Sequence, residues 1–155
     1  MFLIWNFAEP SEDRNFEVNP SIVSRRGIYK DVYGSGADHE FADYRLRCNV
    51  PVAMTVAPEL FNPERALVAL RITEQVLVSP MGMKTLDPSD YSYRGDYDNS
   101  NDSSDPAIAR GWNYHNGPEW GWPLGFFLRA YLRFDTAVGR GRAVRFIAFV
   151  RTTHC

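Results

Sequence analysis

Residues 81 to 117 sustain neither a helical nor a strand period, and they separate two stretches that are clearly helical. A fold containing such a run must let its helices carry long loops, which excludes a compact bundle with short connections. A structureless stretch of this length inside a compact domain is usually functional or disordered. This one is too aromatic for a simple disordered linker, with Tyr91, Tyr93, Tyr97, Trp112 and Tyr114 along it. The helix before it is well marked. Asn62 is a natural N-cap, Pro63 fits the first helical position, and Glu64 is favoured by the helix dipole. Ala66, Ala69, Leu70, Thr73, Val76 and Leu77 recur at i, i+3, i+4 spacing and form one buried stripe. Ser79-Pro80 with Gly82 closes it. After the run, Leu124, Phe127, Leu128 and Tyr131 mark another amphipathic helix ending near Phe134.

The remaining segments are weaker. Residues 8 to 49 are rich in Pro, Gly, Asn, Ser and charge and read as an extended, mostly irregular arm. Within it, Ile28–Tyr33 and Asp43–Arg47 are short candidates for extended structure. Asn49 can cap a helix with Pro51 in its first turn and Val52, Ala53, Val56 and Leu60 on one face, and Pro58 should kink or close it. Ala143 to Val150 is an apolar run that suits a short helix or a strand. There are no internal repeats and no strand ladder. The expected class is all-α, a single partial domain over 1–155 with three or four helices and long irregular loops. So few helices would struggle to bury their own stripes, which points to a piece of something larger.

Charge and cysteine usage narrow the function. The chain has 155 residues, 45% of them hydrophobic, enough for one domain with a real core. Its 17 basic and 19 acidic residues leave a net charge of −2, no reason to expect nucleic acid as a partner. Cys48 and Cys155 are too far apart to read as a disulfide framework, so a reducing compartment is the simpler assumption. Met1 to Phe7 is apolar but lacks a basic flank and is far too short for a signal h-region or a membrane span. A soluble, cytoplasmic protein without a membrane partner is expected.

The chemistry concentrates in Gly111–Gly125. Three tryptophans, a histidine, a carboxylate, two asparagines and four glycines share fifteen positions. Helix and strand interiors disfavour Gly and Pro, so this density predicts a rigid irregular loop. Exposed indoles with hydrogen-bonding neighbours suit a sugar, whose apolar faces stack on Trp while Asn, His and Glu bond its hydroxyls. A buried Trp corner pinning the next helix is the plainer alternative. Asp96-x-Asp98-x-Ser100 starts like a calcium loop but has Asn101 at the sixth position and Ala107 at the twelfth, so it reads as a solvated turn. His115 and Glu119 are interrupted by Gly117-Pro118 and cannot be helical zinc ligands, while His39 and His154 lack partners; no metal is expected. Gly139-Arg140-Gly141-Arg142 reads as a solvated turn. Nucleophile elbow, phosphate loop and dinucleotide fingerprint are all missing. Carboxylates with aromatics remain, the inventory of a glycosidase, which needs two carboxyl groups across the scissile bond. Glu119 has three open roles: a hydroxyl acceptor, an acid raised against indole, or a carboxylate at a helix start. Asp98 is the weaker second candidate for a catalytic carboxylate.

Gly82-Met83-Lys84-Thr85-Leu86-Asp87-Pro88, Tyr97-Asp98-Asn99 and Asn113-Tyr114-His115-Asn116-Gly117-Pro118-Glu119-Trp120 resemble the C-terminal glucosidase region of eukaryotic glycogen debranching enzymes. Arg26–Asp31, Tyr44–Arg47 and Val56–Phe61 are similar to that family in the same order, so the resemblance covers about residues 15 to 134. It implies part of an (α/α)6 toroid with a pocket built from loops at one end. It implies cofactor-free, inverting hydrolysis of α-1,6-linked glucose at a trimmed branch of glycogen or another branched α-glucan. In that family the general acid lies N-terminal to this region and the base, a Glu, C-terminal to it. No catalytic residue is therefore expected here. Trp120 and Trp122 are expected to stack on sugar, His115 and Asn116 to contact hydroxyls, and Glu119 to contact or orient them. A non-catalytic glycan-binding module, or a packing surface without ligand, is the alternative.

Overall fold

A computed structural model describes residues 22–98, 100 and 113–135. Met1–Phe7, Asn101–Asp105, Trp112, Gly139–Arg142, Ala143–Val150, His154 and Cys155 lie outside the described residues. Three helices are described: α1 (Asn49–Val56), α2 (Pro63–Leu77) and α3 (Gly121–Phe134). With them come 3-10 turns at Glu40–Ala42 and Pro58–Leu60. Among the described residues, no helix is long and apolar enough to cross a membrane.

The best-marked helix forms as its sequence dictates. Asn62 has extended backbone, and its side-chain oxygen accepts from the N–H groups of Glu64 at 3.0 Å and Arg65 at 3.1 Å. Two donors left without intrahelical partners are thereby satisfied at the N-terminus. Ala66, Ala69, Leu70, Thr73 and Leu77 are buried, and Val76 packs at their edge. Pro58 closes α1 as expected, because α1 stops at Val56 and the chain tightens into a 3-10 turn. Asn49 is not the cap. It sits inside α1, and its amide donates to Asp31 Oδ1 at 2.9 Å, a tertiary bond replacing the local one.

Gly121–Phe134 departs from the expectation of an irregular loop through Gly125. Pro123 costs nothing in the first helical turn. The about 1 kcal/mol lost to Gly125 is outweighed by burying Leu124, Phe127 and Tyr131, each contributing roughly 1.5–3 kcal/mol. A Cβ at Gly125 would meet nothing within 4 Å. Gly125→Ala is therefore expected to stabilise the fold by about 0.5–1 kcal/mol, read as a higher urea midpoint at unchanged slope.

A small antiparallel sheet is the main correction to an all-α fold without a strand ladder. It comprises β1 (Val78–Ser79), β2 (Gly82–Lys84) and β3 (Glu119–Trp120) in that spatial order. Val78 pairs with Met83 and Ser79 with Gly82; Met83 then pairs with Trp120 and Lys84 with Glu119. Strands of two or three residues are too short to display a period of two, so nothing in the sequence announced them. Gly82 adopts φ +150°, and a Cβ there would lie 2.4 Å from the Trp120 carbonyl oxygen. Only glycine admits β3 at this distance.

The helical stripes are buried, although not by the helices alone. α1 and α2 pack on α3, with Tyr131 donating from its hydroxyl to Glu74 Oε2 at 3.0 Å. The missing apolar cover comes from outside the helices: Ile28, Tyr29, Leu46 and Cys48 of the arm, and Met83 of β2, are all buried in the same core. The described part of the arm is thus a packed layer. Arg47 bridges Leu86, the Asp87 N–H donates to Leu46 O at 3.0 Å, and Arg25 pairs with Asp87 at 2.6 Å. Asp43 is buried where it accepts from the N–H groups of Gly34 and Ser35 and faces Lys30 at 3.7 Å. Those partners offset the desolvation that an isolated buried carboxylate would suffer.

Candidate functional site

β3 and the first turn of α3 carry the segment singled out above, and each side of it is tied to a different element. The loop preceding β3 turns back through a bond from the Asn116 N–H to Asn113 O at 2.9 Å. Buried Asn113 donates from its amide to the Asp96 carbonyl, joining this loop to the end of the long run. Gly117 donates to Thr85 Oγ1 at 2.8 Å and Arg94 donates from its N–H to Asn116 O at 2.6 Å. The backbone from Asn113 to Pro118 is therefore held between residues 85 and 94 as an irregular loop, the irregularity being as expected.

The singled-out side chains separate into groups. Trp120 is half-buried; its indole N–H donates to Tyr114 O at 3.1 Å. Its ring lies 4.6 Å from Tyr114 at 37° and 5.3 Å from Tyr97 at 65°. Tyr97 and Tyr114 themselves meet edge to face at 5.4 Å, closing a three-ring cluster. Trp122 is different: on α3 it is 53% exposed, with only Phe126 edge-on at 6.3 Å among described ring contacts. An indole this open is available to a flat apolar partner.

Glu119 is exposed and stands opposite Lys84 across the β2–β3 pair, with its Oε1 3.4 Å from Nζ. A half-open pair like this contributes little to stability. It precedes α3 on a strand, outside the first helical turn, so the role of a helix-start carboxylate gives way to a cross-strand partner. Tyr93 belongs to the same neighbourhood: burial raises its hydroxyl pKa, and the charges of Glu119 and Asp96 raise it further. His115 is exposed, its ring edge-on to Tyr114 at 4.7 Å. Asp98 is exposed and accepts from Ser100 N at 2.8 Å and Ser100 Oγ at 2.6 Å, the geometry of a turn.

One residue that joins this site was not foreseen. Arg47 donates from one terminal nitrogen to His115 O at 2.6 Å and from the other to Asn116 Oδ1 at 2.9 Å. The Arg47 Nε atom faces Asp31 Oδ2 at 3.7 Å. Burial raises the Asp31 carboxyl above its ordinary range, which the Asn49 bond and Arg47 only partly oppose. Burial likewise lowers Arg47, against the pull of Asp31. No motif could have signalled this residue, because its partners lie 68 and 69 positions away.

Other chemistries find little support. Among the described residues no group of three or more His, Cys, Asp or Glu side chains could hold a metal ion. Cys48 is buried, and burial pushes its thiol up to about 11, so it stays protonated at neutral pH and is a poor nucleophile. The groups assembled here can stack on a ring and exchange hydrogen bonds with hydroxyls.

Comparison with known proteins points the same way. Residues 3–151 match the family described as amylo-alpha-1,6-glucosidase. The glycogen debranching enzyme of Saccharomyces cerevisiae is 54% identical over 127 residues. That alignment takes in 81% of this chain and 8% of the yeast enzyme, so the chain spans a small part of its relative's length.

Proposed function

The chain belongs to the amylo-alpha-1,6-glucosidase family, and from that membership we propose that it forms part of the glucose pocket of a glycogen debranching glucosidase. In this reading the enzyme removes the α-1,6-linked glucose at a branch point of cytoplasmic glycogen, by inversion and without a cofactor. Trp122 stacks on the sugar, and Trp120 adds the ring surface that Tyr114 leaves uncovered. His115 and Asn116 bond hydroxyls, and Glu119 accepts from a hydroxyl while Lys84 holds its carboxylate. The three helices belong to an (α/α)6 toroid. Apolar Val56 at 74% and Val68 and Leu132 at 43% exposure would meet its other helices.

The observation that carries the reading is the junction of β3 and α3. An exposed imidazole stands just before it on backbone held by Thr85, Arg94 and Arg47, while an exposed carboxylate lies on β3 and an open indole on α3. Rigid placement of stacking and hydroxyl-bonding groups is what recognition of a pyranose requires. The test is Trp122→Ala in a full-length debranching enzyme, assayed on a dextrin with a single glucosyl branch. Lost stacking of about 1–2 kcal/mol corresponds to a roughly tenfold lower kcat/KM, with the melting temperature nearly unchanged. Trp120→Ala should lower both, since its ring also holds Tyr97 and Tyr114. Unchanged kinetics in both folded variants would make these rings scaffold, and the chain a packing module.

A further inference from the structure

We propose that Arg47 is a positioning residue for substrate, its guanidinium fork setting the His115–Asn116 corner on which an α-1,6-linked glucosyl branch is seated. The inference rests on the glucose-pocket reading above and adds to it a residue outside the aromatic segment.

Arginine is a donor only, and its fork is planar. Here the fork is divided between two neighbouring residues, a main-chain carbonyl at 2.6 Å and a side-chain amide oxygen at 2.9 Å. Because Arg47 cannot accept, the amide of Asn116 must turn its oxygen toward Arg47 and its nitrogen away. One bond thereby selects one of the two orientations of that amide. The other bond fixes the carbonyl of the preceding residue, and with it the base of His115. Arg47 is itself anchored: its backbone bridges Leu86, next to the Thr85 hydroxyl that accepts from Gly117. The corner is thus gripped from two adjacent points on two bridged segments.

The companion of Arg47 is placed for orientation more than for stability. Asp31 faces its Nε at 3.7 Å, too long for a tight bond, and is held in turn by the Asn49 amide at 2.9 Å. The Arg47 side chain is 16% exposed and that of Asp31 7%. For both groups, loss of water outweighs the attraction of the pair. A buried pair of this kind is at best neutral for stability, and one use for it is to fix geometry.

Lysine would keep the charge beside Asp31 but cannot bond two acceptors in one plane. In a full-length debranching enzyme carrying this segment, Arg47→Lys is expected to raise KM for a singly branched dextrin about tenfold, with kcat within about twofold. Asn116→Ala should do the same. Combined, the two changes should fall well short of the product of the single effects, because both act through one corner. Asp31→Asn, which leaves the arginine in place, should give a smaller rise that also shrinks beside Asn116→Ala. This variant carries the test if Arg47→Lys loses its cooperative melt. Asn116→Ala raising KM while Arg47→Lys or Asp31→Asn has no effect, or adds in full, would overturn the positioning role and leave the pocket reading standing. If neither Asn116→Ala nor His115→Ala moves KM, the pocket reading falls and Arg47's role with it.

Discussion

Replacing Gly117 with alanine is expected to destabilise the protein by about 3 kcal/mol or more, the largest effect of any single methyl group at this site. Gly117 has φ +153°, which L-residues rarely adopt, and an added Cβ would lie 2.2 Å from the Arg94 carbonyl oxygen. Neither side can yield cheaply. Gly117 donates to Thr85 Oγ1 at 2.8 Å, while Arg94 donates back to Asn116 O at 2.6 Å. Moving either strand breaks a bond that nothing else replaces, and a buried donor left unpaired costs roughly 1–3 kcal/mol. Gly121→Ala is the matched control, since a Cβ there meets nothing within 4 Å and the residue opens α3. It should stay within about 0.5 kcal/mol of the parent. Urea unfolding of both variants, with limited proteolysis of the 113–118 segment, measures the difference. A parental midpoint for Gly117→Ala would mean that the two backbones do not approach in solution as they do here.

The 155-residue chain on its own is expected to release no glucose from a branched dextrin, a loss of many orders of magnitude against a full-length enzyme. Inverting hydrolysis needs an acid and a base about 6.5–9.5 Å apart, one to protonate the leaving oxygen and one to activate water. Five described carboxylates of this region are committed elsewhere. Glu119 faces Lys84, Asp98 is closed onto Ser100, Asp87 is bound by Arg25, and Asp90 by Arg45 at 3.0 Å. Asp31, whose carboxyl burial raises, is turned toward Asn49 and Arg47. A coupled glucose assay on the chain and on a full-length enzyme tests this directly. Glu119→Gln in the latter should keep most of the activity, since the amide still offers an oxygen acceptor. Glucose release by the chain, abolished by Glu119→Gln, would put the catalytic acid at Glu119.

The helices show how unevenly a structure of this kind is legible. Asn62, Pro63 and the stripe to Leu77 were readable because capping and i, i+4 burial are local: the partners of each residue lie within one turn of it. The same holds for Pro58, which stops α1 by removing a donor wherever the chain then goes. The start of α3 was obscured because glycine and proline propensities there are overridden by tertiary burial of Leu124, Phe127 and Tyr131. Resemblance singled out Trp120 and Trp122 together, but it did not sort exposed Trp122 from half-buried Trp120.

By itself, then, the sequence determined the helix caps, the buried stripe of α2, the concentration of stacking and hydroxyl-bonding groups before α3, and the family in which such a segment occurs. Only the tertiary structure decided that β1, β2 and β3 pair, that the arm's Ile28, Tyr29 and Leu46 complete the helical core, and that Arg47 grips a corner 69 positions away. The division follows from the range of the forces. Periodicity and capping act within a few residues and leave a mark in composition. A hydrogen bond between distant segments depends on how the whole chain closes, and its two ends carry no mark of each other until it does.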